Sequence, residues 1–200
     1  MNYLFYCRDG SDTKALLERF TEEHWSFMEG HQDRMIAHGP TLTPDGNQHT
    51  GSLHVIDLAT AEDMEAFAYQ EPFYKAGVYE EVMIKRWENL LGRTMWNFKT
   101  SSSDPLFLIL AHAAEPPEGA IHDFADAHRD FAAKYRDQMV IYGSMSSTDD
   151  ARWRGFAEVI QMPSREVVQA MLADDPLVEP ASVAKVEIHR WCMGGRPHTH

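Results

Sequence analysis

Two hundred residues, 44% of them hydrophobic, suffice for one large domain or two small ones with a real core. The formal net charge of −13 is spread evenly, with 9 Lys+Arg against 16 Asp+Glu in residues 1–100 and 9 against 15 in residues 101–200. No basic stripe and no apolar run of the ~18 residues a membrane span needs are present, so nucleic acid and membrane are not expected partners and a soluble, cytoplasmic protein is.

Residues 3–8, YLFYCR, are apolar and aromatic and predict a short strand. Ser11 and Asp12 are good N-caps for a helix reaching to about Arg34. Its apolar face is Leu16, Phe20, His24, Phe27, His31 and Met35, stepping by four, four, three, four and four. A short strand is expected to lead into Gly39-Pro40, and Pro44-Asp45-Gly46 predicts a turn. Residues 51–58 predict a strand, and Thr60 caps a helix ending near Gln70. Glu71-Pro72 breaks that helix, because proline donates no backbone hydrogen bond and restricts the residue before it. Residues 78–87 close the half as a strand.

A gapless shift of 104 residues then repeats the pattern. It places Leu4 on Leu108, Phe20 on Phe124, His24 on His128, Phe27 on Phe131, Gly39 on Gly143, Gly51 on Gly155, Pro72 on Pro176 and Arg86-Trp87 on Arg190-Trp191. One register over more than eighty residues marks a tandem duplication. Each half reads β-α-β-β-α-β, the ferredoxin-like order of an antiparallel sheet with helices on one face. A second copy can cover the other face. The expected fold is α+β: two tandem ferredoxin-like domains packing sheet to sheet as a pseudo-dimeric α+β barrel, a plan compatible with a further homodimer. The expected domains are 1–97 and 105–193, with a 98–104 linker around Thr100-Ser101-Ser102-Ser103 and a fraying tail from Gly194.

The candidate chemistry centres on histidine. His24 lies on a buried helical stripe, where it is either a satisfied core residue or a proton carrier near neutral pH. A carboxylate on the other ring nitrogen would fix its tautomer and raise its basicity. His31 and His38 follow His24 at intervals of seven, about 10 Å per step along a helix, too far apart to share a metal. His54 stands alone on the third strand, opposite Glu158 in the second copy. Apart from His198 and His200 in the tail, no spacing suggests a metal site, and no glycine-rich phosphate loop suggests a nucleotide cofactor. Cys7 and Cys192, at neither metal-ligand nor disulfide-framework spacing, are expected as reduced, buried thiols. Tyr3, Phe5, Trp25, Tyr74, Tyr79 and Trp87 would line an apolar pocket if they point inward, and otherwise belong to the core.

Together these features resemble the YCII-related family of the dimeric α+β barrel superfamily. The resemblance rests on His24, on Gly39-Pro40, on Gly51-Ser52, and on the loop from Glu71-Pro72 through Phe73, Tyr74, Gly77, Tyr79 and Glu80. It covers nearly the whole chain, once per half. It implies a histidine–carboxylate catalytic pair, which makes Glu71 the expected partner of His24 and Asp175 that of His128, and one relative is a dehydrochlorinase acting on a chlorinated hydroquinone. The chain departs from the family pattern in having Glu71-Pro72 for Asp-Pro. The second half keeps His128 and Asp175-Pro176, but has Gly143-Ser144 for Gly-Pro, Gly155-Phe156 for Gly-Ser, and no glycine in its loop.

The expected function is a cofactor-free lyase or isomerase acting on a small aromatic or cyclic compound. His24, Glu71, His128 and Asp175 are the expected catalytic groups, and Gly39, Pro40, Ser52, His54, Tyr74 and Tyr79 the expected substrate contacts. A cofactor-independent oxygenase and a non-catalytic small-molecule binding or assembly module are the alternatives, since fold alone does not choose among them.

Overall fold

The apolar, aromatic run of the first strand, β1 (Asn2–Asp9), is buried on both faces from Tyr3 to Cys7, with Tyr3, Phe5 and Cys7 on one face and Leu4 and Tyr6 on the other. The computed structural model describes residues 1–99, 103–114, 128–176, 178 and 183–196. The chain divides into two compact units, Met1–Trp87 with the C-terminal residues from Cys192, and Glu88–Trp191. Residues 88–97 thus belong with the second unit, whereas the expected boundary gave them to the first.

In the first unit, α1 (Lys14–Glu29) is followed by β2 (Met35–Leu42) and β3 (His49–Asp57). Next come α2 (Ala61–Gln70), the single-turn α3 (Pro72–Lys75) and β4 (Tyr79–Asn89). The strands pair antiparallel in the order β4-β1-β3-β2. Tyr3, Phe5 and Cys7 join Ile56, and Met28 and Phe67 from the helices, in one core. Gly51 lets β3 cross close to β1, because a Cβ there would lie 2.3 Å from the Cys7 carbonyl oxygen.

Helix α1 is shorter than its stripe predicts. Asp12 takes φ +60 and Thr13 donates its hydroxyl to the Gly10 carbonyl, so the helix starts after Thr13 and not at Ser11 or Asp12. It ends at Glu29, where Gly30 donates to the Ser26 carbonyl and a 3-10 turn, Gln32–Arg34, leads into β2. Met35 therefore opens a strand. Helix α2 is as expected, with a full capping box: Asp63 N–H donates to Thr60 Oγ1 at 3.1 Å, and Thr60 N–H donates to Asp63 at 3.2 Å.

The second unit repeats the plan with β5 (Leu106–Ala113), α4 (128–133), β6 (Met139–Ser146), β7 (Trp153–Gln161), α5 (Arg165–Ala173) and β8 (Val183–Trp191). Its strands run in the order β8-β5-β7-β6. Gly155 repeats Gly51: at φ +121, a Cβ would lie 1.8 Å from the Ala111 carbonyl oxygen. Phe124, Leu177, His198, His200 and residues 100–102 of the serine-rich linker lie outside the described residues. Before that linker, Leu90 and Leu91 donate to the Tyr142 carbonyl and Leu91 and Met95 are buried, so this stretch packs on the second unit.

Two smaller expectations are corrected. Cys192 is exposed, and only Cys7 is a buried thiol. From Gly194 through Arg196 the tail is held in place. Cys192 N–H donates to the Pro40 carbonyl, Gly194 N–H donates to the His38 carbonyl, and Arg196 pairs with Glu22 and Glu29 of α1.

Candidate functional site

Glu71 owes its position to the proline after it. Proline ends α2, holds Glu71 at φ −60 and ψ 128, and starts α3. From there Oε2 accepts the Tyr74 N–H at 2.7 Å, capping α3, while Oε1 lies 2.6 Å from Nδ1 of His24. An ionised carboxylate can only accept, so the ring proton sits on Nδ1 and Nε2 presents its lone pair. Two charge-assisted hydrogen bonds offset the cost of burying the carboxylate, whose side chain is 3% exposed. The His24 side chain keeps 12% exposure and stacks on Phe73, with ring centroids 4.2 Å apart and planes 9° from parallel.

Under His24, the helix-facing side of the sheet is rich in titratable groups. His38 and His54 are register partners on β2 and β3, and the His54 ring is 5.7 Å from that of His24. Burial, followed by the charge of His24, lowers His38 to about 4. Burial also holds His54 well below the usual histidine range, with His24, His38 and His49 acting in the same direction. Burial pushes the Cys7 thiol up, and Glu71 and Asp9 push it further, so Cys7 is a protonated, unreactive thiol. The Tyr79 hydroxyl is raised by burial and by Cys7 and Glu71. It makes no hydrogen bond of normal geometry, although the Ser52 hydroxyl is near enough to counter part of that rise.

A small cavity opens here, lined by Phe5, His54, Phe67, Glu71, Tyr74 and Tyr79 among others. It is narrow, with room for about one water molecule. Tyr74 stands at its rim, 38% exposed and packed on Tyr69.

The expected residues divide. His24, Glu71, His54 and Tyr79 come together, with Ser52 beside Tyr79. Gly39 and Pro40 lie inside β2 and not in a loop; they back onto the Cys192–Gly194 segment and do not line the cavity. Among the aromatics, Tyr3 belongs to the core, Phe5 to both the core and the cavity wall, Trp87 is buried, and Trp25 lies under the Arg196 guanidinium. Among the described residues, no three His, Cys, Asp or Glu side chains are grouped to hold a metal ion.

The sequence reading missed a second pair. His49 Nδ1 lies 2.6 Å from Asp9 Oδ2, and its Nε2 lies 3.4 Å from the Ser52 hydroxyl. Forty residues separate the partners, and only the β1–β3 register brings them together.

In the second unit His128 Nδ1 lies 2.9 Å from Asp175 Oδ1, but both side chains are almost sealed, at 4% and 1% exposure. Phe156, in the place of Ser52, stands with its ring centroid 4.4 Å from that of His128. Glu158, in the place of His54, is pushed up to about 8 by burial and by the Asp175 charge.

The YCII-related domain family matches residues 1–88. Residues 1–88 are a YCII-related domain. Over 96% of its length the chain is similar to a mutant chlorite dismutase from Candidatus Nitrospira defluvii, at 12% identity and TM-score 0.60, covering 91% of that chain. It is also similar to a candidate monooxygenase from Lactobacillus acidophilus NCFM, at 12% identity and TM-score 0.59, with 96% and 92% of the two chains covered. These whole-length likenesses show the fold, α+β with two β-α-β-β-α-β units in tandem, as in dimeric α+β barrel proteins. The 5-chloro-2-hydroxyhydroquinone dehydrochlorinase of Burkholderia phenoliruptrix AC1100, solved with 2,5-dihydroxybenzoquinone, is 24% identical over 44% of this chain and 95% of its own. Its TM-score of 0.42 gives that likeness no functional weight. No curated protein matches the chain. No helix among the described residues is long and apolar enough to cross a membrane.

Proposed function

We propose that the YCII-related domain of this chain is an acid–base enzyme, a lyase or isomerase, acting on a small aromatic or cyclic compound through His24 and Glu71. The observation that carries the reading is the 2.6 Å contact between His24 Nδ1 and Glu71 Oε1, with the other carboxylate oxygen tied to the Tyr74 N–H. Glu71 is held from both sides and so fixes the ring, leaving Nε2 to take and return a proton. The mostly apolar lining with a few polar groups suits a ring compound. Displacement of Tyr74 at the rim would admit it. His128 and Asp175 have the same pairing but no open edge, and in this reading they are structural.

The test is an NMR titration of His24 and His128 against catechols, hydroquinones and lactones, followed by turnover assays on any compound that binds. His24 is expected to respond to a ligand and His128 to stay silent. Unchanged turnover in His24→Gln would sink the mechanism. Tight binding with no product over long incubation would favour a binding module instead.

A further inference from the structure

We propose that Asp9, His49 and Ser52 form a second proton-transfer relay in the same site, so that the domain works with a base on one side of the substrate and an acid on the other. This deepens the His24 reading and rests on it.

The geometry mirrors the first pair. Each imidazole binds a carboxylate through Nδ1 at 2.6 Å. In each pair the carboxylate is buried, at 3% and 6% side-chain exposure, while the ring keeps an exposed edge, at 12% and 22%. Both rings contact Phe73, His24 by stacking and His49 edge-on at 6.2 Å. The outer nitrogen of His49 then reaches the Ser52 hydroxyl, and Ser52 is the register partner of Cys7, whose side chain lines the cavity. A buried serine with an imidazole behind it can hand on a proton and be resupplied.

The duplication supplies an independent observation. In the second unit, positions equivalent to Asp9, His49, Ser52 and Tyr79 are Ala113, Trp153, Phe156 and Val183. All four polar groups are gone, although the backbone register is kept: Cys7 pairs with Ser52 as Ala111 pairs with Phe156, and Asp9 with Tyr79 as Ala113 with Val183. The histidine–carboxylate pair alone survives there, sealed from solvent. A relay lost as a set with the opening behaves as part of the open site, not as fold support.

Two proton carriers define a reaction class, the isomerisation of a cyclic β,γ-unsaturated ketone to its conjugated isomer, begun by enolisation. His24 Nε2 takes a C–H proton, and that bond's electron pair becomes the C=C bond of an enol. The enol oxygen takes the Ser52 proton, which protonated His49 replaces. Because the substrate already carries one C=C bond, this enol is a conjugated dienol. The first proton returns at its γ-carbon, the C=C bond shifts into conjugation as C=O reforms, and the enol proton passes through Ser52 to His49, so composition is unchanged.

The test uses the full chain with 1,2-cyclohexanedione in D₂O, following deuterium entry at carbon by NMR across pH. The titratable groups facing the two rings are Cys7 and Asp9 from β1, His38 from β2, His54 from β3, Glu71 before α3 and Tyr79 from β4. The wild-type rate is expected to be bell-shaped in pH. His49→Gln, Asp9→Asn and Ser52→Ala should each lower it at least tenfold, and the His49 and Asp9 variants should also lose the alkaline limb. His24→Gln should abolish exchange. If the relay variants match wild type while His24→Gln is inactive, the relay is wrong and the His24 reading stands. If the dione does not exchange, its binding is read from the assigned ring resonances of both histidines. Perturbation of both supports the relay, perturbation of His24 alone overturns it, and perturbation of neither overturns both readings.

Discussion

The two units carry matching histidine–carboxylate pairs, yet the His24 side chain keeps 12% exposure and that of His128 only 4%. In the first, Ser52 is small and polar and the His24 ring keeps an open edge. In the second, Phe156 occupies that place against His128, and the partner strands replace His38 and His54 by Tyr142 and Glu158. A buried pair of this kind is compatible with a core role. Access and the polar groups around it are what make a site.

The largest effect that would break this comparison is on turnover. Glu71→Gln is expected to slow a true substrate on the order of 10²-fold or more, since it loosens the ring that moves the proton. Asp175→Asn should leave turnover unchanged. Equal losses in a steady-state assay would show that both sites work. Next is stability: Phe156→Ser should cost about 3–5 kcal/mol in chemical denaturation, as for other large-to-small core changes. It should also make His128 more reactive toward diethyl pyrocarbonate than the wild-type ring, whose side chain is 4% exposed.

The units should also respond oppositely to pH. Glu158 is raised in the folded chain to about 8, so the native state keeps a proton that the unfolded state has lost. Its contribution is full below the ordinary carboxylate range and falls as pH rises to about 8, by at most about 1.4 kcal/mol per pH unit. His38 is lowered to about 4, so its contribution is full above the ordinary histidine range and falls as pH drops toward 4. Glu158→Gln should flatten the alkaline loss and leave the acid loss intact; a melting profile unaltered on the alkaline side would contradict the assignment. The smallest effect is at the helix caps. Thr60→Ala should cost about 1 kcal/mol by breaking the capping box, and Ser164→Ala about half of that, because the Ser164 hydroxyl accepts a single bond at 3.4 Å from Val167 N–H.

Much of this was legible in the chain. The 104-residue repeat, the strand alternation, Thr60 as a cap and Pro72 as a breaker determined the element order, because periodicity, capping and proline stereochemistry are local. His24 was legible as a candidate on the same grounds, and Glu71 through the likeness of its Glu-Pro loop to the YCII-related pattern. The limits were local too: the apolar stripe ran on through His31 to Met35, but Gly30 and the turn after it end α1 at Glu29. Only the tertiary structure decided that Asp9 meets His49 across forty residues, that the tail holds β2 and α1, and that one histidine is open and its copy closed. Those outcomes depend on strand register and on which side chain fills one position, Ser52 or Phe156. Such contacts arise when distant segments pack, and no window of sequence contains both partners.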